Sequence, residues 1–200
     1  MNSYEGSVGI MPHTDGPLYH PYVTVISIGN PILFKIYKDI DHYAEEAESS
    51  SIIVESGSLL IFTSTFYNEY LHAIQDSAYE TIKIEYKITP LVSSSKEYDK
   101  NKSSFTLQLL DSTIQNLQLS KVYLDHLQEL ETTEFSNLSE LNGQIAKFQA
   151  GSNCFTFEHV SNLEDDKITI FVSWKRDKRI SITIRHVPIK DIDYPDDPTL

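Results

Sequence analysis

Over residues 1–92 the apolar positions come in short bursts bounded by turn formers. Residues 22–28 (YVTVISI) are β-branched and apolar, and Gly29-Asn30-Pro31 breaks them. Residues 32–37 (ILFKIY) follow as the expected antiparallel neighbour, and the polar, acidic residues 38–50 read as a solvated loop. Two more short runs, 51–55 and 58–63, flank a Ser56-Gly57 turn. Over 80–89, Ile82, Ile84, Tyr86 and Ile88 alternate with Thr81, Lys83, Glu85 and Lys87. A period of two marks a half-buried strand.

The pattern then changes. Residues 93–104 (SSSKEYDKNKSS) are polar and low in complexity and read as a linker. Beyond them Leu110, Ile114, Leu117, Leu124, Leu127 and Leu130 can share one stripe of a 3.6-residue repeat. Leu138, Leu141, Ile145 and Phe148 recur at three, four and three. This spacing predicts helices over 105–131 and 135–149, with Thr133 or Ser136 capping the second and Gly151 beyond its end. Such a pair covers its stripe against a sheet, and a protein partner docking on 105–149 is the less ordinary use. Strand character returns at 155–158, 168–174 and 179–187, and the tail from Ile189 is expected to be irregular. The chain therefore divides into strands over 1–92, a linker and helical insertion over 93–166, and closing strands and tail over 167–200.

Composition narrows the class. Two hundred residues, 40% of them apolar, suit about one domain with a real core. A single cysteine, Cys154, excludes an internal disulfide and a thiolate metal cluster. No run approaches the roughly 18 apolar residues of a membrane helix, and the start shows no signal-peptide pattern. The expected location is cytoplasm, nucleus or both. The net charge of −13 speaks against a strong, sequence-independent grip on a nucleic-acid backbone. All three arginines, Arg176, Arg179 and Arg185, lie within ten residues of one another.

Chemistry concentrates in a few places. His13-Thr14-Asp15 is H-x-D, and residues two apart on extended chain point to one face. A second imidazole from elsewhere would complete a two-His, one-carboxylate facial set, which leaves open positions on a divalent metal. His72, flanked by Leu71 and Ala73, is the best candidate among the remaining histidines; a hydrogen-bonded core histidine is the bland alternative. On the last strand Arg179, Ser181, Thr183 and Arg185 share one face and three isoleucines the other. Two inward-leaning guanidinium forks at the ends of this strand suit a small dicarboxylate; a water-facing edge strand is the alternative. Asn2 and Tyr4 supply an amide and a phenol ahead of the H-x-D.

N-x-Y, then H-x-D, a distal His and R-x5-R together resemble the AlkB family of Fe(II)/2-oxoglutarate dioxygenases. The run YEGSVGIMPHTDGPLYHPYVTVISIG, Gly57-Ser58-Leu59-Leu60 and the close RISITIRHVP look like the AlkB homologue six subgroup. The resemblance covers about 1–92 and 176–190. Against the family the chain reads as shortened on its N-terminal side and as carrying a helical insertion between His72 and Arg179.

The resemblance implies a mainly β fold, a double-stranded β-helix or jelly roll with an inserted amphipathic helical pair. It implies Fe(II) held by His13, Asp15 and His72. It implies 2-oxoglutarate with its distal carboxylate on Arg179, Arg185 nearer the metal, and Asn2 and Tyr4 as further hydrogen-bonding groups. The implied reaction uses O2 to hydroxylate a C–H bond; an N-hydroxymethyl product then sheds formaldehyde. A single-stranded or modified nucleic acid is the implied substrate, with Tyr19 and Tyr22 offered as stacking rings. The alternative is a catalytically incomplete AlkB-like scaffold or binding module. A cupin-like metal isomerase or hydrolase would use the same ligands but has no need of the arginine strand.

Overall fold

Among the described residues, twelve strands form three four-stranded antiparallel sheets. The computed structural model describes residues 1–17, 21–45, 50–91, 104–112, 114–151, 154–162 and 166–186. Tyr19, His20, most of the 93–104 linker, and the tail from 187 with Val187 and Pro188 lie outside these residues.

In chain order the jelly-roll strands are β1 (Asn2–Tyr4), β2 (Ile10–His13), β3 (Tyr22–Gly29), β4 (Ile32–Tyr37), β5 (Ser50–Val54), β6 (Leu59–Thr63) and β7 (Leu71–Ile74). Then come β8 (Tyr79–Pro90), β9 (Phe105–Asp111), β10 (Phe155–Asn162), β11 (Lys167–Lys175) and β12 (Arg179–Arg185). Sheet A has the order β1-β12-β3-β6, sheet B β2-β7-β4-β5 and sheet C β10-β11-β8-β9. Val23, Val25 and Phe62 of sheet A meet Ile32, Phe34, Ile36, Val54 and Ile74 of sheet B in one core. The expected mainly β, jelly-roll-like fold is what forms.

Residues 38–50, expected to be a loop, include a short helix α1 (Ile40–Ala44), whose first turn Asp39 caps by accepting from the His42 backbone N–H. A second short helix, α2 (Ser64–Asn68), follows β6.

The insertion differs from the expected helical pair. Phe105 and Leu107 are buried while Thr106 and Gln108 point the other way, so 105–111 alternates and pairs with β8. The leucines there serve a period of two as well as one of 3.6, and the free edge of β8 selects the strand. After it come a 3-10 turn at Leu117–Leu119, a π-helical turn at Tyr123–Leu127 and α3 (Gln128–Thr132). Only the second helix survives, as α4 (Leu138–Gly151). Its cap is Asn137, whose Oδ1 accepts from Glu140 N at 2.9 Å, and not Thr133 or Ser136. The stripe residues Leu117, Leu127, Leu130, Leu141 and Ile145 are buried against sheet C, the packing role expected of them. β8 and β11, expected within the jelly roll, are the centre of sheet C. Among the closing strands β12 alone returns to sheet A.

Sheet C and its helices share a core with Leu33 of β4 and Ile53 of β5. Strand β4 therefore buries Ile32, Phe34 and Ile36 on one side and Leu33 on the other. A strand covered on both faces reads as an almost unbroken apolar run, which ILFKIY is. The segment after β9 also closes the β5 edge. Asn116 accepts from Ile53 N at 2.9 Å and donates to Ile53 O at 2.8 Å, in place of a neighbouring strand.

Arg176 ties the parts together. Its guanidinium donates to Gln75 O, Ser77 O and Val8 O at 2.6–2.9 Å, and its Nε lies 3.5 Å from Glu80 Oε1. Both side chains are buried. Burial pushes the Glu80 carboxyl up to about 7 against the opposing pull of Arg176. Between about pH 4.5 and 7 the folded chain then keeps a proton that the unfolded chain has released, so stability declines as pH rises through that window. Glu80→Gln should flatten this decline in denaturant unfolding measured across the window. Arg176→Ala strands Glu80 and three carbonyls, and should cost about 3–5 kcal/mol, read as a large fall in melting temperature.

Candidate metal and carboxylate site

β2 and β7 are antiparallel neighbours in a register that sets His13 directly opposite His72. Their ring centroids are 4.2 Å apart. Asp15 follows two residues after His13 and is buried. One ligand atom from each of the three lies within 4.8 Å of the others. Donors about 2.1 Å from one ion are at most about 4.2 Å apart, so small side-chain rotations close the set.

His13 and Asp15 are each held by hydrogen bonds, and His72 by ring stacking. His13 Nδ1 is 2.8 Å from Met11 O. A carbonyl only accepts, so Nδ1 carries the proton and Nε2 is left bare. Asp15 Oδ1 accepts from Arg185 Nε at 3.1 Å and Nη2 at 2.6 Å. Its other oxygen, Oδ2, is 3.6 Å from His72 Nε2, too long for a hydrogen bond but short enough to face it. The His72 ring stacks on Phe62 and Phe34, with centroids 5.0 and 5.1 Å away. Burial first, and then the charge of His13, push its imidazole down to about 4, so it is neutral near pH 7. Two imidazoles and a carboxylate on one hollow fit a divalent cation such as Fe(II).

The same hollow continues along sheet A. A cavity of about 100 Å³ is lined by Asn2, Tyr4, His13, Asp15, His72, Arg179, Ser181, Thr183 and Arg185 together with apolar residues of β2, β3, β4, β6 and β7. The seven residues to which the resemblance gives metal or co-substrate roles thus border one space. β12 lies between β1 and β3, so the edge-strand alternative fails. Its polar face points into the cavity, while Ile184 is 52% exposed on the outside. β1 brings Asn2 opposite Ser181 and Tyr4 opposite Arg179.

Arg179 is buried, and its Nη1 has no hydrogen-bond partner among the described residues. Nε donates to Ser27 Oγ at 2.9 Å, and the guanidinium carbon sits 5.7 Å from the Tyr4 ring centroid. Burial weakens its hold on the proton, Tyr4 partly opposing, yet a guanidinium stays charged at physiological pH. A buried cation with an open donor fits an anionic ligand, and a carboxylate meets it best. Arg185 plays a different part, since its guanidinium grips the metal-facing carboxylate of Asp15.

Other sequence candidates fall elsewhere. His42 pairs with Asp39, and His126 packs against Phe148, Phe155 and Phe157. Tyr22 alternates with the inward Val23 and is 56% exposed on the outer face of β3, away from the cavity, so it offers no stacking ring there. Ser27 was missed, because one serine in a β-branched run carries no local signal of its own.

No family model matches the chain. The probable RNA/DNA demethylase ALKBH6 of Danio rerio is 42% identical over 82 residues, covering 38% of this chain. The chain spans about a third of that relative's length, 35%. With the N-x-Y, H-x-D, His and R-x5-R residues gathered on one jelly-roll cavity, this likeness relates the chain to the AlkB family, and within it to ALKBH6.

Proposed function

We propose that the chain is an Fe(II)- and 2-oxoglutarate-dependent dioxygenase of the AlkB type, working by oxidative demethylation of an alkylated nucleic acid. The observation that carries this reading is the shared cavity. Three metal-type ligands stand at one end and a buried guanidinium with an open Nη1 at the other. A hydrolytic or isomerising metal site has no use for that second feature.

His13, Asp15 and His72 would hold Fe(II), which with 2-oxoglutarate and O2 supplies the oxidation of an unactivated C–H bond. Arg179 would receive the distal carboxylate of 2-oxoglutarate, with the Tyr4 ring against its guanidinium and Ser181 beside it on the cavity wall. Arg185 fixes one oxygen of Asp15 and so turns the other toward the ligand set. Phe34 and Phe62 hold the His72 ring plane and keep water from its rear. The relative's name supports nucleic acid as substrate. The net charge of −13 favours a flexible, single-stranded or locally modified target over a duplex gripped by its backbone. Cytoplasm or nucleus is where we place the activity.

Purified protein given Fe(II) and 2-oxoglutarate should form succinate, and His13→Ala should lower that turnover by more than about 100-fold. A His13→Ala protein with full iron-dependent turnover would remove the ligand assignment. In calorimetry on the Mn(II)-loaded chain, 2-oxoglutarate should bind saturably, and Arg179→Ala should weaken it at least about 100-fold through loss of a charged hydrogen-bonded pair. A folded wild-type chain that binds metal but no 2-oxoglutarate would instead mark the scaffold alternative.

A further inference from the structure

The cross-strand register locates each group along the cavity. β12 and β3 run antiparallel with Arg179 opposite Gly29, Ser181 opposite Ser27 and Arg185 opposite Val23. The metal-ligand end is the Arg185 end, because Arg185 holds Asp15. Arg179 starts at the far end, six residues away along the strand. Yet its Nε reaches Ser27 Oγ, at the level of Ser181. Two residues of strand are about 7 Å, so the guanidinium is drawn about that far toward the metal ligands from the level of its own Cα.

Ser27 is well suited to hold it there. It is 1% exposed, on the inward face of β3 beside Val25. Its backbone is fixed independently: its N–H donates to Ser58 O at 3.0 Å and its carbonyl accepts from Gly57 N at 2.7 Å. The Cβ is therefore at a fixed place, and from it the hydroxyl meets the buried Arg179 Nε at 2.9 Å. Its hydrogen bond orients the fork so that Nη1, without a partner, is left for a ligand.

We infer that Ser27 is a positioning residue that sets the reach of the Arg179 guanidinium, and with it the length of dicarboxylate the cavity accepts. The inference rests on the proposed 2-oxoglutarate site. Ser27 is not among the residues that line the cavity; it acts through Arg179. Removing its oxygen frees the guanidinium to swing back toward Gly29, which lengthens the gap to the metal.

The test is calorimetry on Ser27→Ala and Ser27→Thr, with Mn(II) alone and then with 2-oxoglutarate on the Mn(II)-loaded chain. Ser27→Ala keeps both backbone hydrogen bonds, so it should melt cooperatively as the wild type does. It should bind Mn(II) unchanged and 2-oxoglutarate about tenfold more weakly, the scale of one hydrogen bond to a charged group. Ser27→Thr, which keeps the hydroxyl, should recover most of that loss. Affinity for 2-oxoglutarate within twofold of wild type in Ser27→Ala overturns the inference, and so does an equal loss of Mn(II) affinity or a threonine variant as weak as the alanine one. In those cases a wild-type chain that still binds 2-oxoglutarate through Arg179 leaves the proposed function standing. A wild-type chain that binds none removes both.

Discussion

The two oxygens of Asp15 face two different sheets. Oδ1 takes two hydrogen bonds from Arg185 on β12 of sheet A, and Oδ2 looks toward His72 on β7 of sheet B. A buried carboxylate without such a partner would cost several kcal/mol. The contact therefore does more than hold a ligand. It fixes where β12 lies relative to the connection after β2, 170 positions earlier in the chain. With β12 fixed, Arg179, Ser181 and Thr183 follow along the same wall by simple alternation.

The candidate site was legible because its chemistry is written in short spacings. H-x-D puts His13 and Asp15 together on extended chain, and R-x5-R puts both arginines on one face of a strand. His72 needed the register between β2 and β7, which sequence alone does not supply, so its apolar flanks were the guide. Ser27 needed a neighbour on another strand and was invisible. The insertion failed for a different reason. Leucine-rich residues 105–131 satisfy two periods at once, and the choice between them was made by an open edge of β8. Arg176, noted in the sequence for its company with the other arginines, turned out to brace carbonyls from two loops.

β12 also reverses the usual assignment of faces. In most half-buried strands the apolar side turns in and the polar side out. Here the polar side lines the cavity, and the isoleucine side forms an outer surface with Ile28, Leu59 and Ile61, each at least 45% exposed. A rule that sends isoleucine inward would point both arginines away from the ligands. The reversal is a local conflict between hydropathy and placement, and such conflicts concentrate where a protein does its work.

Strand β4 is a party wall between two rooms. Leu33 stands in the core built by the inserted sheet and helices, and Phe34, the next residue, lies against the His72 ring. Crowding or a void on the insertion's side is carried across a single peptide unit to the imidazole, because packed interiors transmit displacement instead of absorbing it. The stretch between the distal histidine and the arginine strand is thus masonry behind β4, and its excision would bare the Leu33 side of the strand whose next residue stacks on that ring.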